Sequence, residues 1–391
     1  MIRLLTIIGA RPQIIKSAAI SRAISMHFAD KIEEHILHTG QHYDQNMSAV
    51  FFDELGIPEP HYNLQVGSGT HATQTARITE GVEQVLISAR EQGTPFHGVI
   101  VYGDTNSTLA ASIAAAKINV PVFHIEAGLR SFNMSMPEEV NRIVCDQLSS
   151  ILFTPTETGL RNLRAEGFAE GGIKQRVRFA NGQPQHVLLS GDVMYDNSLY
   201  FSRIADQKSD IIERLGLSPR AFVLATIHRP ANTDNAENLQ SIFAALLDIA
   251  EQEQIDIVLP LHPRTRKMLP EQLTADLLER ISHTPHMKII DPASFFEIIR
   301  LEKNARVVMT DSGGVQKEAF FFQTPCVILR PETEWVEIVA TGAGIIADAD
   351  YQRIMEAYHV LSDKDVTFPP LFGDGHASEK ILQNIVAFYN M

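Results

Sequence analysis

"TDSGGVQKEAFFF", residues 310–322, begins where the apolar run "RVVMT" ends and a helical pattern starts. A strand, a glycine turn and a helix in that order form the repeating unit of a parallel α/β sheet. The free N–H groups and positive dipole end of such a helix favour an anion, and glycines let phosphate oxygens approach the backbone. The turn therefore predicts phosphate binding by Ser312, Gly313 and Gly314. The alternative is a helix start capped by Ser312 or Asp311, with the glycines serving close packing.

The same pattern of strand, turn and helix recurs along the whole chain. Short β-rich runs include "IRLLTIIG", "HGVIVYGD" and "VPVFHIEAG" in the first half and "FVLATIH", "DIVLPLH" and "TPCVILR" in the second. This alternation predicts two Rossmann-like, doubly wound α/β domains that face a cleft. We expect domains at 1–175 and 186–370, a crossover near 170–190, and a C-terminal helix in 371–391 that packs back on the first domain.

Composition narrows the class of protein. The chain has 391 residues, 45% of them hydrophobic, which is ample for two cores. Its net charge of −14 argues against nucleic-acid binding. No apolar run has the length or context of a signal peptide or a membrane span, so a cytoplasmic protein is expected. Cys145 and Cys326 lie far apart in apolar stretches and are expected to be core residues in a reducing compartment.

Two further features extend the predicted anion site. Glu318 lies one helical turn beyond the glycines, where a carboxylate could accept hydrogen bonds from a ribose diol; the alternative is an ordinary surface glutamate. In the first domain "GARPQIIK", residues 9–16, makes a similar turn that carries Arg11 and Lys16, a pair of cations suited to a diphosphate. The stretch matches neither the dinucleotide fingerprint nor the P-loop, and a lone cation at a helix start is most often solvated.

Carboxylates collect where the first-domain strands end. Asp104 ends "VIVYGD", Glu126 ends "VFHIE", and Glu138 and Glu139 follow in "MPEEVNR". Neighbouring, partly buried carboxylates acquire raised and separated pKa values, so such a cluster can act as acid and base near neutral pH. The alternative is structural, because Asp104 is placed to cap a helix and the paired glutamates suit a first helical turn.

Histidines end two strands of the second domain. His228 and Arg229 follow "VLATI", and His262, Arg264 and Arg266 lie in "LPLHPRTR". A histidine at a strand end can serve as acid, base or phosphate donor, although a structural histidine is as common there. No spacing of His, Cys or Asp predicts a metal site.

Eight motifs occur in order over nearly the whole chain: "GARPQIIK", "HTGQH", "YGDTNST", "HIEAGLRS", "MPEEVNR", "HRPANT", "TDSGGVQKEA" and "TEWVEI". Together they resemble the non-hydrolysing UDP-N-acetylglucosamine 2-epimerase family. The resemblance implies a glycosyltransferase-B-type fold and a homodimer formed through the first domain. It also implies a UDP-sugar substrate whose phosphates lie on Ser312, Gly313 and Gly314, with Arg11 reaching across and Glu318 on the ribose.

The resemblance also implies the catalytic set. Six residues match active-site positions of the family: Lys16, Asp104, Glu126, Glu138, Arg142 and His228. Arg130 and His262 lie beside such positions and are carried as binding residues. Family members expel UDP from C1 to leave a glycal, then add UDP back after C2 is reprotonated on the opposite face, so neither a redox cofactor nor a metal is expected. Which carboxylate takes the C2 proton stays open.

Three departures from many family members bear on the sugar. This chain has "GARPQ", "HRPAN" and "TEWVE" where those members have G-T-R-P-E, H-R-R-E-N and T-E-R-P-E. In these features it is similar to the branch that epimerises UDP-2,3-diacetamido-2,3-dideoxy-glucuronate for bacterial surface polysaccharide such as O-antigen. Arg264 or Arg266 could bind a uronate carboxylate, or either could be a solvated loop charge. "HTGQH" resembles a loop that binds a second, activating UDP-sugar in some relatives. A glycosyltransferase of the same fold and an inactive UDP-sugar sensor remain alternatives.

Overall fold

The structure is a computed structural model that describes residues 1–41, 56–168, 179, 182–261 and 263–390, with the backbone alone for residues 263 and 264. The chain divides into two compact units. The first unit comprises Met1–Asn197 and Pro370–Met391, and the second unit comprises Ser198–Pro369.

The first unit is built on a seven-stranded parallel sheet of order β3-β2-β1-β4-β5-β6-β7. Its strands are β1 (Ile2–Ile8), β2 (Ile32–His38), β3 (Tyr62–Asn63), β4 (Gly98–Tyr102), β5 (Val122–Ile125), β6 (Ile151–Thr154) and β7 (His186–Leu189). Its helices are α1 (Arg11–Ala23, continued by a π-turn over Ile24–Phe28), α2 (His71–Glu91), α3 (Asn106–Lys117), α4 (Pro137–Leu148), α5 (Glu157–Ala165), the start of α6 (Val193–Lys208) and the C-terminal α16 (Ala377–Asn390).

The second unit has a six-stranded parallel sheet of order β10-β9-β8-β11-β12-β13. Its strands are β8 (Phe222–Thr226), β9 (Asp256–Pro260), β10 (Met287–Ile290), β11 (Val307–Thr310), β12 (Cys326–Ile328) and β13 (Gly344–Ile346). Its helices after α6 are α7 (Ile211–Arg214), α8 (Pro230–Thr233), α9 (Ala236–Gln252), α10 (Pro263–Gln272), α11 (Ala275–His283), α12 (Phe295–Asn304), α13 (Gly313–Phe321), α14 (Val336–Thr341) and α15 (Tyr351–Asp363).

Both sheets follow the strand order of a Rossmann-like fold, which confirms the predicted α/β class. Central strands such as β4 and β11 are buried along their whole length, as expected for parallel strands covered by helices on both faces. The order reverses between β1 and β4 in the first unit and between β8 and β11 in the second. Ligands of doubly wound sheets bind beyond the carboxyl ends of the strands at this switch point.

The boundary between the units lies later than the sequence predicts. Residues 186–197 were expected in the second domain, but β7 pairs with β6 over Ile151↔His186 and the three following positions, so it is the edge strand of the first sheet. The C-terminal helix α16 belongs to the first unit, where the ring of Phe388 lies 5.6 Å from that of Phe123. Asp196 accepts hydrogen bonds from the backbone N–H groups at the start of this helix.

Cys145 and Cys326 are buried free thiols, as expected of core residues. Among the described residues, none of the helices combines the length and the apolar character needed to cross a bilayer.

Candidate active site

The turns that follow β1 and β4 are tied together by one buried side chain. Gln13 accepts hydrogen bonds from the backbone N–H groups of Gly9 (2.9 Å) and Ala10 (3.2 Å) through Oε1. Its Nε2 donates to the carbonyl oxygen of Tyr102 at 3.0 Å. Since Tyr102 is the last residue of β4, the amide of Gln13 holds the two strand ends at the switch point of the first sheet.

The glycine of "GARPQIIK" serves packing. A Cβ at Gly9 would lie 2.2 Å from the hydroxyl oxygens of Thr39 and Ser107, which hydrogen-bond to each other at 2.9 Å. The space beside Gly9 is therefore filled by protein. Arg11, the first residue of α1, is exposed, so its side chain lies at the surface of this turn.

Asp104 follows Gly103, whose φ of +61° is left-handed. The cap of α3 is Thr105, whose hydroxyl accepts a hydrogen bond from the N–H of Thr108. The structural alternative in which Asp104 caps this helix is therefore wrong. The carboxylate of Asp104 instead forms an ion pair with the guanidinium of Arg142.

Glu126 has a left-handed backbone, with φ of +71°, directly after β5. A non-glycine residue in this region costs about 1–2 kcal/mol and persists only where surrounding contacts determine it. Here the N–H groups of Glu126 and Ala127 both donate to the carbonyl of Phe153. The carboxylate of Glu126 pairs with the ammonium of Lys16, and the two side chains are only 11% and 13% exposed.

The adjacent glutamates at the start of α4 differ in environment. Glu138 is exposed. Glu139 is buried and accepts hydrogen bonds from the N–H groups of Ser131 (3.0 Å) and Phe132 (2.9 Å), and it pairs with Arg142 at 2.8 Å. Burial raises the pKa of Glu139, but the bonds from Ser131 and Arg142 outweigh burial, so the pKa lies below its usual value. Glu139 therefore organises the loop before α4, while Glu138 is open to a ligand.

Asp104 is the electrostatic centre of this group, which we name the carboxylate cluster: Lys16, Asp104, Glu126, Glu138 and Arg142. Burial raises the pKa of Asp104 above its ordinary value, Arg142 and Lys16 lower it, and Glu126 and Glu138 raise it. The structure thus brings together all five predicted first-domain residues of the catalytic set. A carboxyl group with a raised pKa is suited to accepting or returning a proton near neutral pH.

Two predicted binding residues, Arg130 and His262, are not placed at the candidate site by the described part of the structure. The guanidinium of Arg130 is 1% exposed and pairs with Asp146 at 2.7 Å and with Glu166 at 2.7 and 2.9 Å. The expectation that Arg130 contacts a ligand is corrected, because its buried guanidinium is already paired with Asp146 and Glu166. His262 lies outside the described residues, as does the side chain of Arg264.

The switch point of the second sheet is organised by Asp311, which the sequence analysis considered only as a helix cap. Its buried carboxylate accepts hydrogen bonds from the N–H groups of His228 (3.1 Å) and Arg229 (3.0 Å) and from the amide of Asn232 (3.1 Å). Asp311 therefore joins the end of β11 to the end of β8. An aspartate directly after a buried strand was the available signal.

The ring of His228 is oriented by the same carboxylate. Its Nδ1 lies 3.0 Å from Oδ1 of Asp311, and the side chain is 54% exposed. Burial raises the pKa of Asp311, but hydrogen bonds from His228 and Arg229 outweigh burial and hold the pKa below its usual range. An ionised Asp311 keeps a proton on Nδ1, which leaves Nε2 as the second polar atom of the imidazole.

The glycine turn after β11 has two glycines with different surroundings. Ser312 caps α13, since its hydroxyl accepts from the N–H of Val315. A Cβ at Gly313 would lie 2.3 Å from Oε1 of Glu334, so a larger residue here would displace the end of that exposed side chain. A Cβ at Gly314 would meet only the Ser312 hydroxyl, at 3.8 Å, and Gly314 is exposed. The space suited to a ligand therefore lies beside Gly314.

A buried pair supports this turn from within. The indole Nε1 of Trp335 donates to the carbonyl oxygen of Gly313 at 2.9 Å. The ammonium of Lys317 lies 4.5 Å from the centre of the Trp335 ring, a cation–π contact, and Lys317 is buried. In the sequence Trp335 stands out only as a departure from the family pattern, and its interaction with Gly313 was not predicted.

Glu318 is half-buried on α13, one turn beyond the glycines. The fully buried Glu302 on α12 interacts with it electrostatically, and neither carboxyl oxygen of Glu302 has a hydrogen-bond partner among the described residues. Burial and the charge of Glu318 raise the pKa of Glu302 well above its ordinary value. Sequence reasoning missed this buried acid beside Glu318.

Two Rossmann-like units, one with a carboxylate cluster and one with an anion-suited helix start, define a nucleotide-binding α/β enzyme. A family model described as UDP-N-acetylglucosamine 2-epimerase matches residues 25–386. The chain is 44% identical over 382 residues to the UDP-2,3-diacetamido-2,3-dideoxy-D-glucuronate 2-epimerase of Pseudomonas aeruginosa, covering 97% of this chain and 98% of that protein. It is 43% identical, with the same coverage, to a UDP-N-acetylglucosamine 2-epimerase homolog of Methanococcus maripaludis.

A solved structure is also similar to this chain over nearly its whole length. The UDP-GlcNAc 2-epimerase of Methanocaldococcus jannaschii, in complex with UDP-GlcNAc and UDP, matches with a TM-score of 0.78 and 36% identity over 99% of this chain and 100% of that one. The chain belongs to the UDP-N-acetylglucosamine 2-epimerase family.

Proposed function

We propose that this chain inverts C2 of UDP-2,3-diacetamido-2,3-dideoxy-glucuronate without hydrolysing the nucleotide sugar. As a member of the 2-epimerase family it is an isomerase. The observation that carries the mechanism is the carboxylate cluster, in which Asp104 has a raised pKa and lies among two further acids and two cations. An anion-binding sensor has no need of three acids beside a sugar, whereas proton transfer at carbon requires them.

The two units have separate tasks in this proposal. The second unit binds UDP, with the phosphates on Ser312, Gly313 and Gly314 and the ribose on Glu318. The open space beside Gly314 and the free end of α13 support this assignment. His228 and Arg11 stabilise the diphosphate as it departs, because charge develops on it when the bond to C1 breaks.

The first unit handles the proton. The C2 hydrogen of a 2-acetamido sugar is not acidic, so the C1–O bond breaks first and its electron pair leaves with UDP. A carboxylate of the cluster then takes the C2 proton, and the electron pair of the C2–H bond forms the second bond between C1 and C2 of a glycal. Return of UDP to C1 and of a proton to the opposite face of C2 completes the inversion. Lys16 and Arg142 keep Glu126 and Asp104 in place throughout.

The choice of sugar rests on the three departures and on the Pseudomonas relative. "TEWVE" contributes Trp335, which contacts the glycine turn directly, so at least one departure lies at the candidate site. Arg266 stays a candidate ligand for the uronate carboxylate, since its contacts with Asp291 (3.1 Å) and the carbonyl of Ile290 (2.9 Å) both use Nη2 and its side chain is 47% exposed. UDP-N-acetylglucosamine is the second candidate, because the Methanococcus relative is almost equally similar and carries that name.

The test is an NMR experiment in deuterated water, with each UDP-sugar supplied separately. The substrate should lose its C2 proton signal while the manno epimer grows, with Asp104→Asn as the inactive control. Turnover of UDP-N-acetylglucosamine alone would reverse the choice of sugar. Tight UDP binding with no exchange in either sugar would contradict the epimerase proposal and favour a glycosyltransferase or a sensor.

The remaining expectations also stand as proposals. A homodimer formed through the first unit follows from the family resemblance, and sedimentation of the purified chain tests it. A cytoplasmic location suits an enzyme of nucleotide sugars, and two buried thiols are compatible with a reducing compartment.

A further inference from the structure

A line of charged groups, three of them buried, lies behind the carboxylate cluster and is not used by the proposed reaction. It consists of His124 on β5, Asp146 on α4, Arg130 and Glu166. The side chains of His124 and Asp146 are completely buried, and that of Arg130 is 1% exposed. Buried charges are expensive unless each is paired, so such a line needs a reason.

The contacts of His124 determine its charge. Its Nδ1 lies 2.7 Å from Oδ1 of Asp146, and its Nε2 lies 2.8 Å from the carbonyl oxygen of Gly103. A carbonyl oxygen can only accept, so Nε2 carries hydrogen. Asp146 pairs with the guanidinium of Arg130 at 2.7 Å, and a carboxylate in such an ion pair only accepts. Both ring nitrogens therefore carry hydrogen, and His124 is an imidazolium.

The pKa of His124 is shifted in the direction that this geometry predicts. Burial lowers the pKa of His124, but the neighbouring Cys145 and Asp146 outweigh burial and raise the pKa well above its ordinary value.

The imidazolium connects the backbone segments that carry the two central acids. Gly103, its acceptor, immediately precedes Asp104. Glu126 lies two residues after His124 on the same chain segment. Asp146 also accepts from the N–H of Gly128 at 3.2 Å, which fixes the far side of the Glu126 turn. Gly103 and Gly128 have left-handed φ values that glycine adopts freely, whereas the left-handed φ of Glu126 persists only where surrounding contacts determine it.

We propose that His124, held by Asp146, is a positioning residue of the epimerisation: it sets the separation and direction of the Asp104 and Glu126 carboxylates without touching the sugar. The inference rests on the proposed function. Arg130 then acts indirectly, by pairing with the other oxygen of the Asp146 carboxylate and holding it in place. Misplacing a reacting group by about 1 Å costs on the order of 100-fold in rate, so a residue of this kind affects turnover strongly.

The two histidine contacts can be separated by substitution. In His124→Gln the amide nitrogen falls near the position of Nε2 and can still donate to Gly103. In His124→Asn it falls near Nδ1 and can reach only Asp146. We expect kcat of His124→Asn to fall about 100-fold, with a smaller loss for His124→Gln. UDP affinity and KM should stay unchanged in both, because the second unit supplies UDP binding.

A kinetic isotope effect distinguishes positioning from damage to the fold. With substrate deuterated at C2, the isotope effect on kcat should grow in His124→Asn, since proton abstraction becomes slower than the other steps. Partial unfolding would reduce the amount of active enzyme and leave the isotope effect at the wild-type value. His186→Asn, on the neighbouring region of the same sheet, is the matched control and should leave kcat unchanged.

Four experimental outcomes would overturn the positioning role of His124. Unchanged kcat in a folded His124→Asn overturns the inference, as does a rise in KM or in the UDP dissociation constant at constant kcat. If His124→Asn does not fold, His124→Gln and Asp146→Asn replace it, and wild-type kcat and isotope effect in both overturn the inference. Absence of C2 exchange in the wild-type chain overturns the proposed function itself, and the inference with it.

Discussion

The two units place their candidate sites at the same point of the same topology but build them differently. In the first unit the site consists of acidic and basic side chains, and each central acid is paired with a basic group: Asp104 with Arg142 and Glu126 with Lys16. In the second unit it consists of a helix start whose free N–H groups follow Ser312. Binding an anion needs only backbone geometry, whereas moving a proton needs side chains whose pKa values are tuned by their neighbours.

The backbone shows the same contrast. The first-unit turns use left-handed φ at Gly103, Glu126 and Gly128, and buried charges restrain them. The second-unit turn has no left-handed residue from Thr310 to Val315, and a neutral indole supports it from behind. Forming the first site therefore costs more folding free energy than forming the second. Substitutions in the first should change turnover, and substitutions in the second should change affinity.

The largest expected effect is that of Asp104→Asn. The amide keeps the shape of the carboxylate but cannot take the C2 proton, so kcat should fall about 1000-fold, the range found for removing a general acid or base. UDP affinity, measured by calorimetry, should be close to wild type because the second unit is untouched. A variant that loses UDP binding together with turnover would contradict the separation of tasks between the units.

Gly314→Ala tests the second unit. The added methyl group has room in the free protein, where its nearest contact is 3.8 Å away, but it would occupy the space expected for a phosphate oxygen. Loss of one charge-assisted hydrogen bond of about 2 kcal/mol raises the UDP dissociation constant about 30-fold. The melting temperature should not fall, because alanine favours a helix more than glycine does.

Gly313→Ala is the matched control for that experiment. Its methyl group would lie 2.3 Å from Oε1 of Glu334, the end of a side chain that is 45% exposed, so this carboxylate must move away from Arg330. A small fall in melting temperature is expected even without UDP, because the displaced contact is a surface ion pair worth about 0–1 kcal/mol. If both alanine variants affect only stability, phosphate does not bind beside Gly314.

Much of the fold could be predicted from the sequence, since β1, β4, β5, β8 and β11 are apolar runs that end in glycine or polar turns. The edge strand β7 was missed because "HVLL" is only partly buried and its single partner, β6, lies more than 30 residues away. This omission moved the domain boundary. Local pattern identifies a strand that is covered on both faces better than one that depends on a distant neighbour.

The candidate site likewise has residues that the local sequence predicts and residues whose roles depend on distant contacts. Asp104 and Glu126 could be predicted because each follows a strand end, and parallel strands bring those ends together. Lys16 was predicted as a cation at a helix start, and Arg142 was implied only by the family resemblance. The side chains that hold them could not be predicted. Asp146 and Asp311 act through backbone contacts across the sheet, and Arg130 carries the same charge whether it meets a ligand or a buried acid. Tertiary pairing decides such roles, and no local pattern contains it.

The pH dependence of turnover sharpens the comparison further. Burial raises the pKa of Asp104 and Arg142 lowers it. If the ionised form is the base, activity is present above this pKa and is lost as the pH falls through it. Arg142→Met removes the opposing cation, so the acid limb of the kcat profile should move up by about one pH unit or more. UDP binding over the same pH range should not shift, and a parallel shift would indicate that the cluster contacts UDP.

The smallest expected effect is that of Trp335→Phe. Phenylalanine keeps an aromatic ring over Lys317 but loses the hydrogen bond to Gly313, a neutral bond of about 1 kcal/mol, so the UDP dissociation constant should rise about fivefold while kcat stays near wild type. Trp335 is the one tryptophan of the chain, so the wild-type protein reports on this turn by its own fluorescence. UDP should change that emission, and Asp104→Asn should show the same change at the same concentrations. If UDP binds by calorimetry and leaves the fluorescence unaltered, the indole does not sense the turn and the support assigned to it is wrong.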